Sequence, residues 1–442
     1  MTDTATMSTR RLDPAQRGAF LGALIGWIFD YYEVFLMTML AVPMAAEFKL
    51  STAQVGFVFS IQLLFLAVGG VFFGYLADRV GRKRVLIYTI LIFSLGTMAR
   101  AAAPNYEVLL VLTAISALGI GGEYGVGQTL VTETIQREHR GFYSAFLYGG
   151  IYVGIVMGAL VGGYITPRIG WRLTFLLSGF PVLFALWVRR HTPESEVWLE
   201  RKTDAVTSAF ESSRLTVHLI MTWLLCVFAA GLQFFAYYGV ASFLPTYLVK
   251  QGSTIAGASA WLIFTAIAGA AGCTVGALLS DRLGRRLTLS ILAGSACIGG
   301  TWLALSWDRL LTGGLWILIP FFILFAGSNG AAVFGAMFSE SFPAKIRATA
   351  VSSALQVGRG LSFFPPLIAA ALLPTLGYQP IVFLSAGLFG VLALVAWLFK
   401  ETRGVDITAE GGAQHQPSTT AVGTLGGSGL RTTTTYRSPS LQ

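Results

Sequence analysis

The chain has 442 residues, of which 55% are hydrophobic and 12% are charged, and its mean hydropathy is +0.69. A soluble globular chain of this length would not tolerate that balance, so the composition excludes a soluble domain and places most of the protein in lipid. Lys and Arg concentrate between the apolar runs, so the net charge of +9 indicates membrane orientation rather than nucleic-acid binding.

Twelve apolar runs predict an all-α membrane protein with twelve transmembrane helices in two six-helix bundles. A helix rising about 1.5 Å per residue needs roughly 20 apolar residues to cross the hydrocarbon. The runs lie near 19–44, 54–77, 85–102, 107–133, 143–166, 172–189, 216–248, 257–279, 287–306, 311–338, 348–374 and 378–399.

Hydrophilic segments divide the chain into five parts. We expect 1–18 to be a cytoplasmic N-terminal segment without a cleaved presequence, because the apolar run that follows is too long for a signal-peptide core. Bundles at 19–189 and 215–400 flank a central cytoplasmic loop at 190–214. Segment 401–442 is rich in Gly, Thr and Ser, and it is predicted to be a disordered cytoplasmic tail. Most Lys and Arg fall on the side that makes both termini cytoplasmic.

Three acids fall within predicted spans. Asp30 and Glu33 lie three residues apart in the first span, on adjacent parts of one helical face. A charge at the bilayer centre costs about 2.5–3.5 kcal/mol, so these acids are candidates for proton coupling, and two carboxylates this close should resist ionising together. The alternatives are a structural salt bridge, or a position of Glu33 at the aqueous mouth. Glu123, in the fourth span, is a further candidate for proton coupling or for a gate, and the alternative is an interhelical ion pair within the first half.

Two stretches repeat one another about half a protein apart. The loop at 74–84 reads GYLADRVGRKR, and the loop at 276–286 reads GALLSDRLGRR. In each half, a Glu then leads an Arg by seven positions, at 133–140 and at 340–347. Repeats in the same order indicate two parallel halves, with a substrate site where the halves meet.

The repeated charges are predicted to form a cytoplasmic gate that breaks and reforms as the carrier moves. For Arg82 and the basic residues after it, the alternative is an anchor that sets membrane topology. The predicted gate residues are Asp78, Arg79, Arg82, Glu133, Arg140, Asp281, Arg282, Glu340 and Arg347.

Arg359, in the eleventh span, is the only basic residue that the sequence places deep in a span. An intramembrane Arg must find an anion, and its fork matches the two oxygens of a carboxylate. We expect it to bind an organic acid, although a permanent ion pair with a protein carboxylate is the alternative. Polar groups predicted to complete the substrate site are Gln233, Asn329, Tyr31 and Tyr237.

The fifth span carries a stripe of glycines at 150, 154, 158 and 162. Small residues let helices approach closely, and the stripe is predicted to pack across the interface between the halves.

The sequence predicts no cofactor, no metal site and no enzyme active site. Cys226, Cys273 and Cys297 lie inside predicted spans without metal-ligand spacing, so we expect buried thiols. No nucleophile with a base, and no phosphate-binding glycine loop, is apparent.

The 74–84 loop resembles the signature loop of the major facilitator superfamily, and the resemblance covers about 15–405. The runs GIGGEYG at 119–125, GWR at 170–172 and PESEVWL at 193–199 resemble the metabolite:proton symporter branches, which carry sialate, lactate and aromatic acids. One departure is Thr113, where many relatives place an Arg.

The resemblance and the buried charges together predict a proton-coupled symporter for a small organic anion, a monocarboxylate, that works by alternating access. Its partners would be the anion, the proton and the lipid of a bacterial inner (plasma) membrane, with no nucleic acid, and a monomer would suffice. The alternatives are a sugar or polyol carrier, an efflux carrier for cationic drugs, and a membrane sensor that does not transport.

Overall fold

The computed structural model describes residues 12–135, 137–192, 194, 217–307, 314–342 and 347–402, and the regular secondary structure of this part of the chain is all helical. Its helices are α1 (Pro14–Phe48), α2 (Thr52–Val80), α3 (Arg82–Arg100), α4 (Tyr106–Thr134), α5 (Arg137–Leu160), α6 (Thr166–Ile169), α7 (Trp171–Ser178), α8 (Pro181–His191), α9 (Val217–Ala241), α10 (Leu244–Lys250), α11 (Ile255–Leu283), α12 (Arg285–Leu305), α13 (Leu318–Gly327), α14 (Ala331–Glu340), α15 (Arg347–Gly360), α16 (Phe364–Leu376) and α17 (Gln379–Val395). A π-helical segment, Val161–Ile165, joins α5 to α6.

In the described part of the chain, ten helical stretches are long and apolar enough to cross a membrane. The predicted spans at 85–102 and 172–189 are helical too, but they fall outside those ten. Basic residues occupy both ends of α3, which shortens its apolar part. The sixth predicted span is divided at Gly179 into α7 and α8, and its apolar helix, Trp171–Phe184, is short. Twelve spans therefore stay a prediction.

The repeated loops have the same backbone geometry in both halves. Gly81 joins α2 to α3 with a φ of 114°, and Gly284 joins α11 to α12 with a φ of 93°. Residues other than glycine are strained at such positive φ values, which explains the glycine at this point of each repeat. The Arg that follows each glycine reaches back to a carbonyl five residues earlier.

The glycine stripe of α5 packs against α1, which corrects the predicted location across the interface between halves. A Cβ at Gly154 would lie 2.9 Å from the Cβ of Tyr31, and one at Gly158 would lie 2.8 Å from the carbonyl oxygen of Tyr32. The stripe therefore lets α1 and α5 come close within the first half of the chain.

The GWR run at 170–172 ties three elements together. The Trp171 indole donates to Glu47 at 2.6 Å, and Arg172 donates to the same carboxylate at 2.7 Å. Arg172 also donates to the carbonyls of Ala101 and Ala103, at 2.9 and 2.8 Å. The end of α1, the turn between α3 and α4, and the start of α7 are thus held by one guanidinium.

Helices from the two halves meet in a small number of places. Helix α2 packs on α15 and α16, and α5 packs on α11. Two of the ten apolar stretches are interrupted by short turns, at Ser242-Phe243 between α9 and α10 and at 328–330 between α13 and α14. The predicted division into two bundles stays a prediction, and nearly all of the loop at 190–214 and of the tail at 401–442 lies outside the described residues.

Candidate functional site

Asp30 on α1 and Arg359 on α15 face one another in the interior, with exposed fractions of 0% and 4%. Asp30 Oδ2 lies 4.0 Å from Arg359 Nη1, which is too long for a hydrogen bond but within range of a charge pair. Among the described residues, neither carboxylate oxygen of Asp30 accepts a hydrogen bond. This carboxylate is therefore buried and loosely held.

Aromatic rings surround the guanidinium of Arg359. Its Nη2 donates to the Tyr238 hydroxyl at 3.4 Å. Its central carbon lies 5.4 Å from the centre of the Tyr31 ring and 6.0 Å from that of the Trp27 ring, distances at which the ring faces stabilise a cation. Its Nε has no hydrogen-bond partner within the described part of the chain, so donor capacity remains for an anion.

Glu33 has different surroundings from Asp30, although the two lie one turn apart on α1. Its carboxylate forms a salt bridge with Arg100, and it accepts a hydrogen bond from Thr97 at 2.5 Å. Arg100, at the C-terminal end of α3, is fully buried, so Arg359 is not the only basic side chain enclosed in the interior. The Glu33 carboxylate neutralises Arg100 and allows its burial.

Glu123 on α4 is buried against α1. Its Oε1 accepts a hydrogen bond from Thr89 at 2.9 Å, and its Oε2 has no hydrogen-bond partner among the described residues. A Cβ at Gly26 would collide with the Glu123 carboxylate. Gly26 precedes Asp30 by about one helical turn, so the Glu123 carboxylate lies about one turn of α1 away from Asp30. Arg359 pairs with Asp30 and not with Glu123.

A cavity lies beside Asp30 and Arg359. Four of the five predicted substrate-binding residues line it: Tyr31, Gln233, Tyr237 and Asn329. It encloses about 460 Å³ of space between atoms, including its open mouth. Half of the lining residues are aromatic, and besides Tyr31 and Tyr237 these are Tyr148, Tyr152, Phe234, Tyr238 and Phe325. We call it the main cavity. Arg359, the fifth predicted residue, does not line the cavity, but it donates a hydrogen bond to Tyr238, which does.

The two amides of the main cavity are tied to the interrupted stretch between α13 and α14. Gln233 Nε2 donates to the Ser328 carbonyl at 2.5 Å, which leaves Gln233 Oε1 buried with no partner in the described chain. Asn329 Nδ2 donates to the Phe325 carbonyl at 2.8 Å, and its Oδ1 accepts from Tyr152. The free oxygen of Gln233 is suited to a ligand that donates a hydrogen bond.

The repeated basic residues make matching contacts at the ends of α3 and α12. Arg82, which is buried, donates to the Ala77 carbonyl at 2.7 Å, and Arg285 donates to the Ser280 carbonyl at 2.8 Å. Arg285 also pairs with Glu340 through two hydrogen bonds of 3.1 and 3.3 Å. Of the predicted gate residues, Arg79 stacks on Tyr75 and Arg282 is exposed. The side chains of Asp78, Glu133, Arg140, Asp281 and Arg347 lie outside the described part.

Sequence reasoning missed several of these contributors. Arg285 was detectable, because it is the counterpart of Arg82 in the repeat. Glu401 accepts from the backbone N–H groups of Arg285 and Arg286 at 2.9 and 3.2 Å, as Glu194 accepts from Lys83 N–H at 3.1 Å. Both acids follow the last predicted span of their half, so the repeat carried this signal too. Tyr152 and Tyr148 gave no signal beyond being polar aromatics in a span.

The three cysteines are free, with Cys226 buried and the other two half-buried. Within the described residues, no three His, Cys, Asp or Glu side chains gather as a metal would require.

The ten long apolar helical stretches, with ionisable side chains enclosed between them, define a multi-pass α-helical membrane protein. Residues 19–364 match the Major Facilitator Superfamily, and because this is more than half of the chain, the protein belongs to that family. It is therefore a membrane transporter rather than an enzyme.

Curated relatives cover nearly the whole chain. A probable 4-methylmuconolactone transporter of Cupriavidus pinatubonensis is 30% identical over 92% of this chain and 95% of its own. The niacin transporter NiaP of Acinetobacter baylyi is 28% identical over 88% and 94%. Among solved structures, a D-xylose-proton symporter superimposes with a TM-score of 0.75 at 20% identity, over 88% of this chain and 99% of that one. At that identity the likeness concerns the fold.

Proposed function

We propose that this protein is a secondary active transporter that carries a small organic anion, a monocarboxylate, together with a proton by alternating access. The observation that carries the proposal is the loose pair of Asp30 and Arg359, at 4.0 Å and buried beside the main cavity. A carboxylate without hydrogen bonds can take up a proton, and a guanidinium released from it can bind a substrate carboxylate.

The coupling follows from charge. With Asp30 ionised, the pair is neutral, and a substrate anion must compete with the carboxylate for Arg359. With a proton on an Asp30 oxygen, Arg359 carries an unopposed charge in a poor solvent, and it binds the anion more tightly. Proton and anion then favour each other's binding by the same factor, because linkage is reciprocal. A lower pH should therefore raise the affinity for the anion.

The relatives support an acid as substrate. Their names include transporters of niacin, 4-methylmuconolactone and cis,cis-muconate, which are small organic acids. The aromatic wall of the main cavity suits a flat molecule, and Arg359 suits its carboxylate.

The remaining architecture is proposed on the same basis. Twelve spans would form two six-helix bundles that rock about the main cavity, with both termini cytoplasmic and the repeated charges acting as the cytoplasmic gate. The relatives are bacterial, which supports the inner membrane as the location. A monomer contains all the residues of the proposed site.

The test is uptake of radiolabelled nicotinate and benzoate into proteoliposomes under an imposed pH gradient, acid outside. Asp30→Asn should abolish accumulation against a gradient, because the variant cannot release a proton. Equilibrium exchange of labelled for unlabelled substrate should continue, since exchange needs no net proton movement. Binding by the variant should no longer depend on pH.

The matched control is Glu107→Gln, which neutralises an exposed acid at the start of α4 and should transport normally. Accumulation by Asp30→Asn at the level of the unmodified protein would contradict proton coupling through this residue. Competition by xylose or a polyol, without competition by either acid, would instead identify a carrier of neutral substrates.

A further inference from the structure

A second cavity adjoins the main one, and Tyr238 forms a wall of both. On α1, Phe35 lines the second cavity where Tyr31 lines the main one; on α9, the lining moves from Tyr237 towards Ser242. The second cavity therefore lies about one helical turn nearer the C-terminal ends of α1 and α9.

Aromatic packing forms part of the wall of the second cavity. Phe59 on α2, which lines the cavity, meets Phe243 edge-to-face with ring centres 5.3 Å apart. Tyr238 borders both cavities and accepts a hydrogen bond from Arg359, so a ligand group at Arg359 lies next to the second cavity.

Gln62 on α2 gives the second cavity an unused hydrogen-bonding group. Its side chain is 2% exposed and lines the cavity, and its Nε2 has no hydrogen-bond partner in the described part of the chain. A buried amide without a partner is unusual in a native interior, so a partner of this donor is expected during the transport cycle.

Tyr238 adds a second donor. Arg359 has no acceptor atoms, so in their 3.4 Å contact the Tyr238 oxygen accepts, and its own O–H proton remains to be donated. The residues lining the second cavity include no charged side chain. An ion without a counter-charge is not stable in such a space, whereas a neutral acceptor is.

We propose that the second cavity is a subsite for an uncharged, hydrogen-bond-accepting substituent of the transported acid: a hydroxyl, a carbonyl or a ring nitrogen. Gln62 donates to this substituent while the substrate carboxylate lies at Arg359. The inference rests on the proposed function, and it deepens it by naming a planar carboxylate with an acceptor group opposite the carboxylate as the preferred substrate.

The test compares binding of benzoate with binding of 4-hydroxybenzoate to the purified full-length protein by isothermal titration calorimetry. Gln62→Leu keeps the approximate volume and removes the amide. It should weaken 4-hydroxybenzoate about 3- to 10-fold, which corresponds to one lost hydrogen bond, and leave benzoate unchanged. The control is Ser60→Ala, which removes a buried hydroxyl from the same helix outside the cavity lining and should change neither ligand.

Ala241→Leu fills the second cavity by another route, and it answers the same question if Gln62→Leu does not purify. It should exclude 4-hydroxybenzoate and retain benzoate. Equal effects on the two ligands, or no effect of either variant, would overturn the subsite while leaving the transporter proposal intact. Failure of the unmodified protein to bind either acid would overturn both.

Discussion

At the scale of single residues, two neighbouring buried carboxylates, Asp30 and Glu33, have different hydrogen-bond surroundings. Glu33 is surrounded by donors, with Arg100 and Thr97 in direct contact. Asp30 faces a cation at 4.0 Å and accepts no hydrogen bond from the described residues. The proposed proton therefore belongs on Asp30, and Glu33 fixes the helix that presents it.

Glu33→Gln should act as a folding defect. It leaves Arg100 buried without its carboxylate, and breaking a buried pair in this way costs about 3–5 kcal/mol. Thermal unfolding of the detergent-solubilised protein should show a clearly lower Tm. The double variant Glu33→Leu/Arg100→Leu should recover most of that loss, because an apolar pair needs no counter-charge. A Glu33→Gln variant with normal Tm and no gradient-driven accumulation would instead assign the proton to Glu33.

The sequence located the site's charges but not all of their partners. Asp30, Glu123 and Arg359 stand out because each is an ionisable residue in an apolar run, which is a local property. Arg100 shows the limit of this local signal. It lies at the end of an apolar run, and its burial depends on Glu33, 67 positions away. Pairing across that separation is set by how α1, α3 and α4 pack, and one sequence does not encode it in any local pattern.

At the scale of helices, the same limit appears in the glycine stripe of α5. Spacing of four predicts a flat helical face, and the structure contains that face. Which helix covers the face is a tertiary property, and here it is α1. The repeat was more informative, since Gly81 and Gly284, and Arg82 and Arg285, have matching geometry because they occupy matching positions.

Gly154→Leu should separate α1 from α5. The added side chain has no room beside the Tyr31 Cβ, 2.9 Å from the position of a new Cβ, and overpacking of this kind costs at least about 1–3 kcal/mol. Gly149→Leu is the matched control on the same helix, because a Cβ there meets nothing within 4 Å. Thermal unfolding should show a lower Tm for Gly154→Leu alone. Equal Tm values for the two variants would contradict the packing of this stripe on α1.

At the scale of the whole molecule, one set of contacts between the halves lies at one end of the protein, away from the Asp30–Arg359 pair. Lys250 donates to Thr52 at 3.2 Å, Ser259 donates to the Ala159 carbonyl, and Phe59 packs on Phe243. Thr52, Phe59 and Ser259 lie near the starts of α2 and α11, and Ala159, Phe243 and Lys250 lie at or just after the ends of α5, α9 and α10. In the proposed alternating-access cycle this set of contacts opens once, so the energy of closure must stay small enough for reorientation.

Gly56→Leu should hold that end open. A Cβ at Gly56 would lie 2.6 Å from the Ala370 Cβ and 2.9 Å from the Pro366 carbonyl, so a leucine forces α2 away from α16. The control is Val68→Leu, on an exposed part of α2. We expect at least about a tenfold loss of accumulation with benzoate binding retained, because the main cavity is left unchanged and only the return to the closed state is blocked.

Maleimide labelling of Thr246→Cys, a buried position near this end, should be faster in the Gly56→Leu background, with the three native cysteines replaced by alanine. Unchanged labelling together with normal accumulation would show that α2 and α16 need not meet here for transport.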